Sequence, residues 1–180
     1  MPPPLASLIA KLDQAQGEFL RTADSVGPEN WKTRPEAGRW SAAELVAHLI
    51  GVEKAVIGKA DRISQKAPKP VSFIRKLHLP MSLVESRIIR RKSPVPVNSE
   101  ALREKEVMLA ELRDARERSL AFLDETKDRE LGEYWWKHPA VGMLNMYGWI
   151  EFLAAHQKRH TKQMREIATA LQKIVTKSQK

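Results

Sequence analysis

Three histidines carry the chemistry for which this chain can be read. His156 and His160 lie four residues apart in the run AAHQKRHTKQM. On a helix their imidazoles share one face, one above the other. His48 lies in SAAELVAHLIGVE, a second helical pattern more than a hundred residues upstream. Two such helices packed face to face could bring three imidazoles to one metal ion and leave a further position for water or substrate. That arrangement suits catalytic zinc. The chain has no cysteine, so a metal here rests on histidine, carboxylate and water, and there is no disulfide framework.

Plainer readings stand beside this one. A single core histidine is ordinarily satisfied by a carbonyl or hydroxyl, which is the reading of His48 taken alone. The pair differs, because two imidazoles on an apolar stripe each need a partner and an unpaired buried polar group costs about 1–3 kcal/mol. One ion satisfies both, although His-x-x-x-His also occurs on solvated helices. The spacing is that of a zincin helix, yet Gln157 rather than glutamate follows the first histidine, so the built-in general base is missing and a protease of that type is not expected. Glu44, one turn before His48, is a catalytic candidate whose capping-box role also explains it without chemistry. Gln163 lies on the side of the histidine pair, placed either to hydrogen-bond a neighbouring group or to satisfy the core. His78 and His138, beside Leu79-Pro80 and Pro139, read as exposed loop residues. Tyr134, Trp135 and Trp136 read as aromatic packing of a bundle end or as a pocket mouth. Serine-nucleophile, phosphate-loop and paired-carboxylate patterns are absent from the sequence.

The elements that must position these residues are helices. Leu5, Leu8, Ile9, Leu12, Phe19 and Leu20 mark a helix over 5–25, ended by Gly27-Pro28 and a polar run. Ser41 followed by Glu44 is a capping box that opens the second helix, with Trp40 and Leu45 spaced as a hydrophobic staple. That helix is expected to run to about Gln65, with Leu45, His48, Val52, Ala55, Val56 and Ile63 on one side. A third spans about 99–124, capped by Asn98 or Ser99, with Leu102, Val107, Leu109, Leu112, Leu120 and Leu123 inward and glutamates and arginines alternating on its outer face. A fourth spans about 145–177 behind Asn145. There Trp149, Leu153, His156, His160, Met164, Ile167, Leu171 and Ile174 share the inner half, and Lys158, Lys162 and Arg165 the outer. No strand alternation stands out.

Between the second and third helices, residues 66–99 hold five of the eleven prolines and cannot form one helix. Short helical pieces over 71–78 and 81–91 fit the pattern. The expected fold is all-α: a four-helix bundle with one long, Pro-rich, basic crossover, in a single domain over 1–180. That crossover carries eight basic residues against Glu85 alone, and so most of the chain's net charge of +9. A solvated connection, a lid attracting an anionic small-molecule substrate, or a nucleic-acid contact would each use such charge. Nucleic acid is the least expected, since no recognition motif accompanies it. No stretch approaches the roughly 18 apolar residues of a membrane-spanning helix, and the N-terminus lacks the basic start of a signal peptide. A cytoplasmic location and no membrane partner are the expectations.

The segment WKTRPEAGRWSAAELVAHLIGVE resembles the N-terminal signature of the DinB-like family: a Trp, a Pro, a Gly-x-Trp-Ser cap and then a histidine in the second helix. The segment KHPAVGMLNMYGWIEFLAAHQKRHTKQMREI resembles its C-terminal signature, with a His-Pro loop, a Trp-rich helix start, His-x-x-x-His and a nearby Gln. The resemblance covers nearly the whole chain except the crossover. It implies a four-helix bundle holding one divalent ion, commonly zinc or nickel, on residues that here are His48, His156 and His160. It also implies a homodimer as a common state. The activities it implies are thiol S-transfer using a low-molecular-weight thiol such as bacillithiol or mycothiol, isomerisation dependent on mycothiol, and metal-dependent hydrolysis. The rivals are a non-catalytic, metal-stabilised interaction protein and a basic nucleic-acid-associated bundle with plain core histidines.

Overall fold

The computed structural model describes residues 5–72, 80–86 and 102–178. Among these, helix α1 (Leu5–Ala23) buries Leu8, Leu12, Ala15, Phe19 and Ala23, a spacing of three and four that lays one stripe against the core. A 3₁₀ turn at Pro28–Asn30 follows, and Trp31 is buried behind it. Helix α2 (Ala42–Ser64) begins with both halves of the capping box: the Ser41 hydroxyl accepts from the Glu44 amide, and the Glu44 carboxylate accepts from the Ser41 amide. Helix α3 (Met81–Glu85) is a single short piece of the crossover and ends at Ser86, whose backbone is extended. Helices α4 (Lys105–Glu125) and α5 (Met146–Ser178) complete the long set.

Helix α1 packs most extensively on α5, α2 packs on α4 and α5, and α3 lies on α5. Lys162 Nζ donates to the Glu85 carbonyl at 3.1 Å on the outer face of α5. The architecture is the expected all-α bundle, with the first, second and last helices within two residues of their expected ends.

Several details differ. The structure adds a small antiparallel hairpin, β1 (Trp135–His138) with β2 (Gly142–Asn145), pairing Trp136 with Leu144 and His138 with Gly142. Four residues per strand give too short a run for alternation to show, yet the two buried positions, Trp136 and Leu144, face each other across it. The third long helix begins at Lys105 instead of 99. Leu102–Glu104 are not helical, and the buried Lys105 donates to the Val26 carbonyl at 3.0 Å, pinning the helix start to the loop after α1. Asn98 and Ser99, the helical piece expected over 71–78 beyond residue 72, the end of the piece over 81–91, and His78 lie outside the described residues. Ala55, Val107 and Ile174 are exposed, whereas Glu53 and Arg116 are buried.

Two apolar clusters divide the bundle along its length. One holds Leu12, Val56, Phe122, Leu123, Leu144 and Ile150; the other holds Phe19, Leu45, Leu49, Leu112, Met164 and Ile167. In the sequence of each long helix a polar position falls between the two: Gln16, Glu53, Arg116 with Ser119, and Gln157 beside His156 and His160. A polar layer therefore crosses the middle of the bundle.

Candidate metal centre

Two helices supply the three histidines. His48 stands on the second turn of α2, behind the capping box that fixes where that helix begins. His156 and His160 stand one turn apart on α5, whose start is capped by the Asn145 side chain accepting from the Gly148 amide at 2.8 Å. Face-to-face packing brings the rings together. His156 Nε2 lies 3.3 Å from His48 Nε2 and 3.1 Å from His160 Nε2. One nitrogen from each ring falls within 4.8 Å of the others, and no further carboxylate or imidazole joins this group among the described residues.

The nitrogens suit a divalent ion in spacing and in protonation. Tetrahedral bonds of about 2.0–2.1 Å require ligand nitrogens about 3.3–3.4 Å apart, close to the separations found. Burial pushes His156 well below the ordinary histidine value, and the neighbouring His160, His48, His138 and Arg159 add to the depression. Burial alone pushes His48 down to about 4. Both rings are therefore neutral near pH 7, the form that ligates metal. Nδ1 of His160 lies 3.0 Å from Gln163 Oε1. With that nitrogen protonated and donating, Nε2 keeps its lone pair for the cluster. His48 Nδ1 is buried with no hydrogen-bond partner.

Aromatic rings wall the cluster. Trp40 lies 5.0 Å from the His48 ring and stacks at 6.4 Å on His160. Phe152 stacks at 5.1 Å on His156, and His138 lies 4.4 Å beyond Phe152. His138 departs from the exposed-loop expectation. It ends β1, is half-buried, and its Nδ1 accepts from the Ala140 and Val141 amides at 3.0 and 3.2 Å. Trp136 stacks on Trp149 at 4.8 Å inside the core, and Tyr134 donates to the Lys66 carbonyl, so these two pack the bundle end.

Glu44 is buried, but both of its oxygens are engaged. Arg34 grips the carboxylate with two nitrogens, and the Ser41 amide donates to it at 2.8 Å. Burial pushes the Glu44 carboxyl up, and the Arg34 and Ser41 hydrogen bonds with the Arg34 charge outweigh this, leaving it below the usual range. Gln157 turns away from the imidazoles, and its Oε1 accepts from Arg116 Nη2 at 2.8 Å.

The Arg116 group was missed in the sequence. Arg116 donates to both oxygens of Glu53 at 2.6 and 3.0 Å and to the Leu12 carbonyl at 2.7 Å, and Ser119 donates to Glu53 at 2.8 Å. The signal lay in the stripes: Leu49, Glu53, Val56, Ala60 and Leu112, Arg116, Ser119, Leu123 each run at spacings of four, three and four. A charge of opposite sign interrupts each stripe, and a pair of interrupted stripes can satisfy one another.

Residues 11–164 match the DinB superfamily, and the chain belongs to it. It is 25% identical over 162 residues to the uncharacterized protein YuaE of Bacillus subtilis (strain 168), covering 89% of this chain and 97% of that protein. No solved structure matches the chain. No helix among the described residues is long and apolar enough to cross a membrane.

Proposed function

We propose that the protein is a metal-dependent thiol S-transferase in which His48, His156 and His160 hold one divalent ion, zinc or nickel. The observation that carries this reading is the convergence of three Nε2 atoms, from two helices, at spacings suited to a single ion. When bound there, the ion supplies Lewis acidity that favours the deprotonated form of a small thiol. The chain supplies the rest. Gln163 holds the His160 tautomer, Trp40 and Phe152 cover the flanks and limit water, and desolvation keeps His48 and His156 neutral.

Thiol chemistry is favoured over hydrolysis by what surrounds the cluster. A hydrolase wants a general base beside the activated water. Here Glu44 is spent on Arg34 and the α2 cap, and Gln157 on Arg116. A thiolate stabilised by the ion needs no such base. The substrate would be a small electrophile, an anionic one being favoured by the basic crossover.

The test is elemental analysis of untagged protein beside His156→Ala, followed by assay of bacillithiol and mycothiol against small electrophiles, with simple esters in parallel. About one ion per chain, lost in the variant, together with thiol transfer, supports the reading. Ester cleavage without thiol transfer moves it to a hydrolase. Protein that refuses zinc and nickel on dialysis sinks the site.

A further inference from the structure

We infer that Arg116 is a positioning residue for the three-histidine centre, acting through Glu53 on α2 and Gln157 on α5. The inference rests on the metal reading above and extends it to a group that touches none of the imidazoles. The guanidinium, carried by α4, reaches each of the other three long helices. It meets α1 at the Leu12 carbonyl, α2 at Glu53 and α5 at Gln157, at 2.6 to 3.0 Å. It is 2% exposed, Glu53 4% and Gln157 2%. No solvent competes for these bonds, and a planar guanidinium fixes the directions of its partners.

The two tethered positions adjoin the ligands. Gln157 is the next residue after His156, and Glu53 lies five residues after His48. The separation between α2 and α5 at the level of the histidines is therefore held from one side by the Glu53–Arg116–Gln157 bridge. A buried polar bridge of this kind has an exacting geometry, whereas apolar side chains filling the same space would pack at several small offsets. Three ligand nitrogens on two separate helices need that exactness more than the fold does. Groups that orient metal ligands from behind typically alter metal affinity by 10–100-fold when removed.

The discriminating variant is Gln157→Leu. It cuts the tether to α5, leaves the Arg116–Glu53 pair intact, and removes the Gln157 Nε2 that is buried without a partner. Zinc affinity would be measured by competition with a chromophoric chelator, and thermal melting would be followed on the metal-free proteins. Melting within a few degrees of the parent, zinc affinity about 10–100-fold weaker and an altered cobalt(II) absorption spectrum are expected. Gln157→Glu, which keeps an oxygen for Arg116, should restore the parent zinc affinity and spectrum, while a second buried carboxylate opposite one guanidinium lowers melting. Ser119→Ala loses one α4–α2 hydrogen bond to Glu53 but leaves the Arg116 bridge to α2 and α5 intact; it should lower melting without changing zinc affinity. Arg116→Lys keeps the charge opposite Glu53 but cannot span three helices at once. It reads the same effect by a second route if Gln157→Leu fails to fold. Parent-like zinc affinity and cobalt spectra in both Gln157→Leu and Arg116→Lys would overturn the inference alone. A parent protein that takes up no zinc would overturn the metal reading and the inference with it.

Discussion

The polar layer of this bundle contains two buried clusters that share adjacent residues of α5 and differ in how they are satisfied. Around Arg116, the guanidinium and the Glu53 carboxylate neutralise one another, the Leu12 carbonyl, Ser119 and Gln157 Oε1 supply their further bonds, and Gln157 Nε2 alone of this group lacks a partner. Around His156, three imidazoles crowd nitrogen against nitrogen, and His48 Nδ1 has no partner. Each Nε2 offers either one N–H or one lone pair, so the central His156 Nε2 can make a full hydrogen bond with only one of its two neighbours. A self-satisfied cluster is explained by the fold. A cluster whose groups converge without satisfying one another is explained by something the fold receives. His156 and Arg116 stand on opposite sides of that division.

The largest break in the comparison should come from the self-satisfied side. Arg116→Ala leaves the Glu53 carboxylate buried and uncompensated, and should cost about 3–5 kcal/mol by urea denaturation. The paired Glu53→Met/Arg116→Met change should recover most of that loss, since a well-packed apolar pair commonly replaces a buried ion pair. If the pair is as unstable as the single variant, the cluster is more than mutual compensation.

The histidine side should respond to what is added. Zinc held a hundredfold above its dissociation constant should stabilise the parent by about 3 kcal/mol, roughly 5–10 °C in melting temperature for a chain of this size. His156→Ala should show no such gain, and chelation should return the parent to its metal-free value.

Acid separates the clusters more finely. The unfolded chain takes up the His48 proton near pH 6.5, whereas the folded, metal-free protein resists it until about 4. Between those values unfolding binds a proton, so stability is flat above about pH 6.5 and falls as the pH drops toward 4, by up to about 1.4 kcal/mol per unit for this group. Urea midpoints at pH 7, 6 and 5 should show this slope in the parent and in Glu53→Met/Arg116→Met. His48→Leu should reduce the slope without abolishing it, because the buried His156 and His138 are also held below the ordinary histidine value in the fold. A slope unchanged in His48→Leu would assign it to those other rings.

The smallest effect lies in the hairpin, where His138 follows the rule of the satisfied cluster. His138→Asn keeps an acceptor for the Ala140 and Val141 amides and should change stability little. His138→Leu should lose roughly 1 kcal/mol. Equal losses in the two would show that the ring stack on Phe152, rather than the turn, holds this residue.

Much of the site was legible because its residues break a pattern. An i,i+4 histidine pair on an apolar stripe and a capping box ahead of His48 are local signals, and the helices around them have strong periodicity. The Arg116 cluster was illegible for the opposite reason. On α4, arginines and glutamates recur at nearly every polar position, and Arg116 differs from Arg113 or Arg118 only in the stripe on which it falls. Its inward turn depends on Glu53, sixty-three residues away. The hairpin hid in four-residue strands, and the late start of α4 in a lysine that seeks carbonyls of another segment. These are tertiary choices that periodicity does not encode.

The hairpin runs into α5 without a loop: Asn145 ends β2, and Met146 begins the helix. The sheet register therefore acts as an angular stop for a shaft 33 residues long. One residue inserted between Asn145 and His156 would turn everything downstream by about 100°, carrying the imidazoles off the α2 side and Gln157 away from Arg116. An insertion at exposed Lys69 in the crossover would turn nothing. Tolerance to length change along this chain should thus be set by whether the added residue lies between the angular stop and the histidines it indexes.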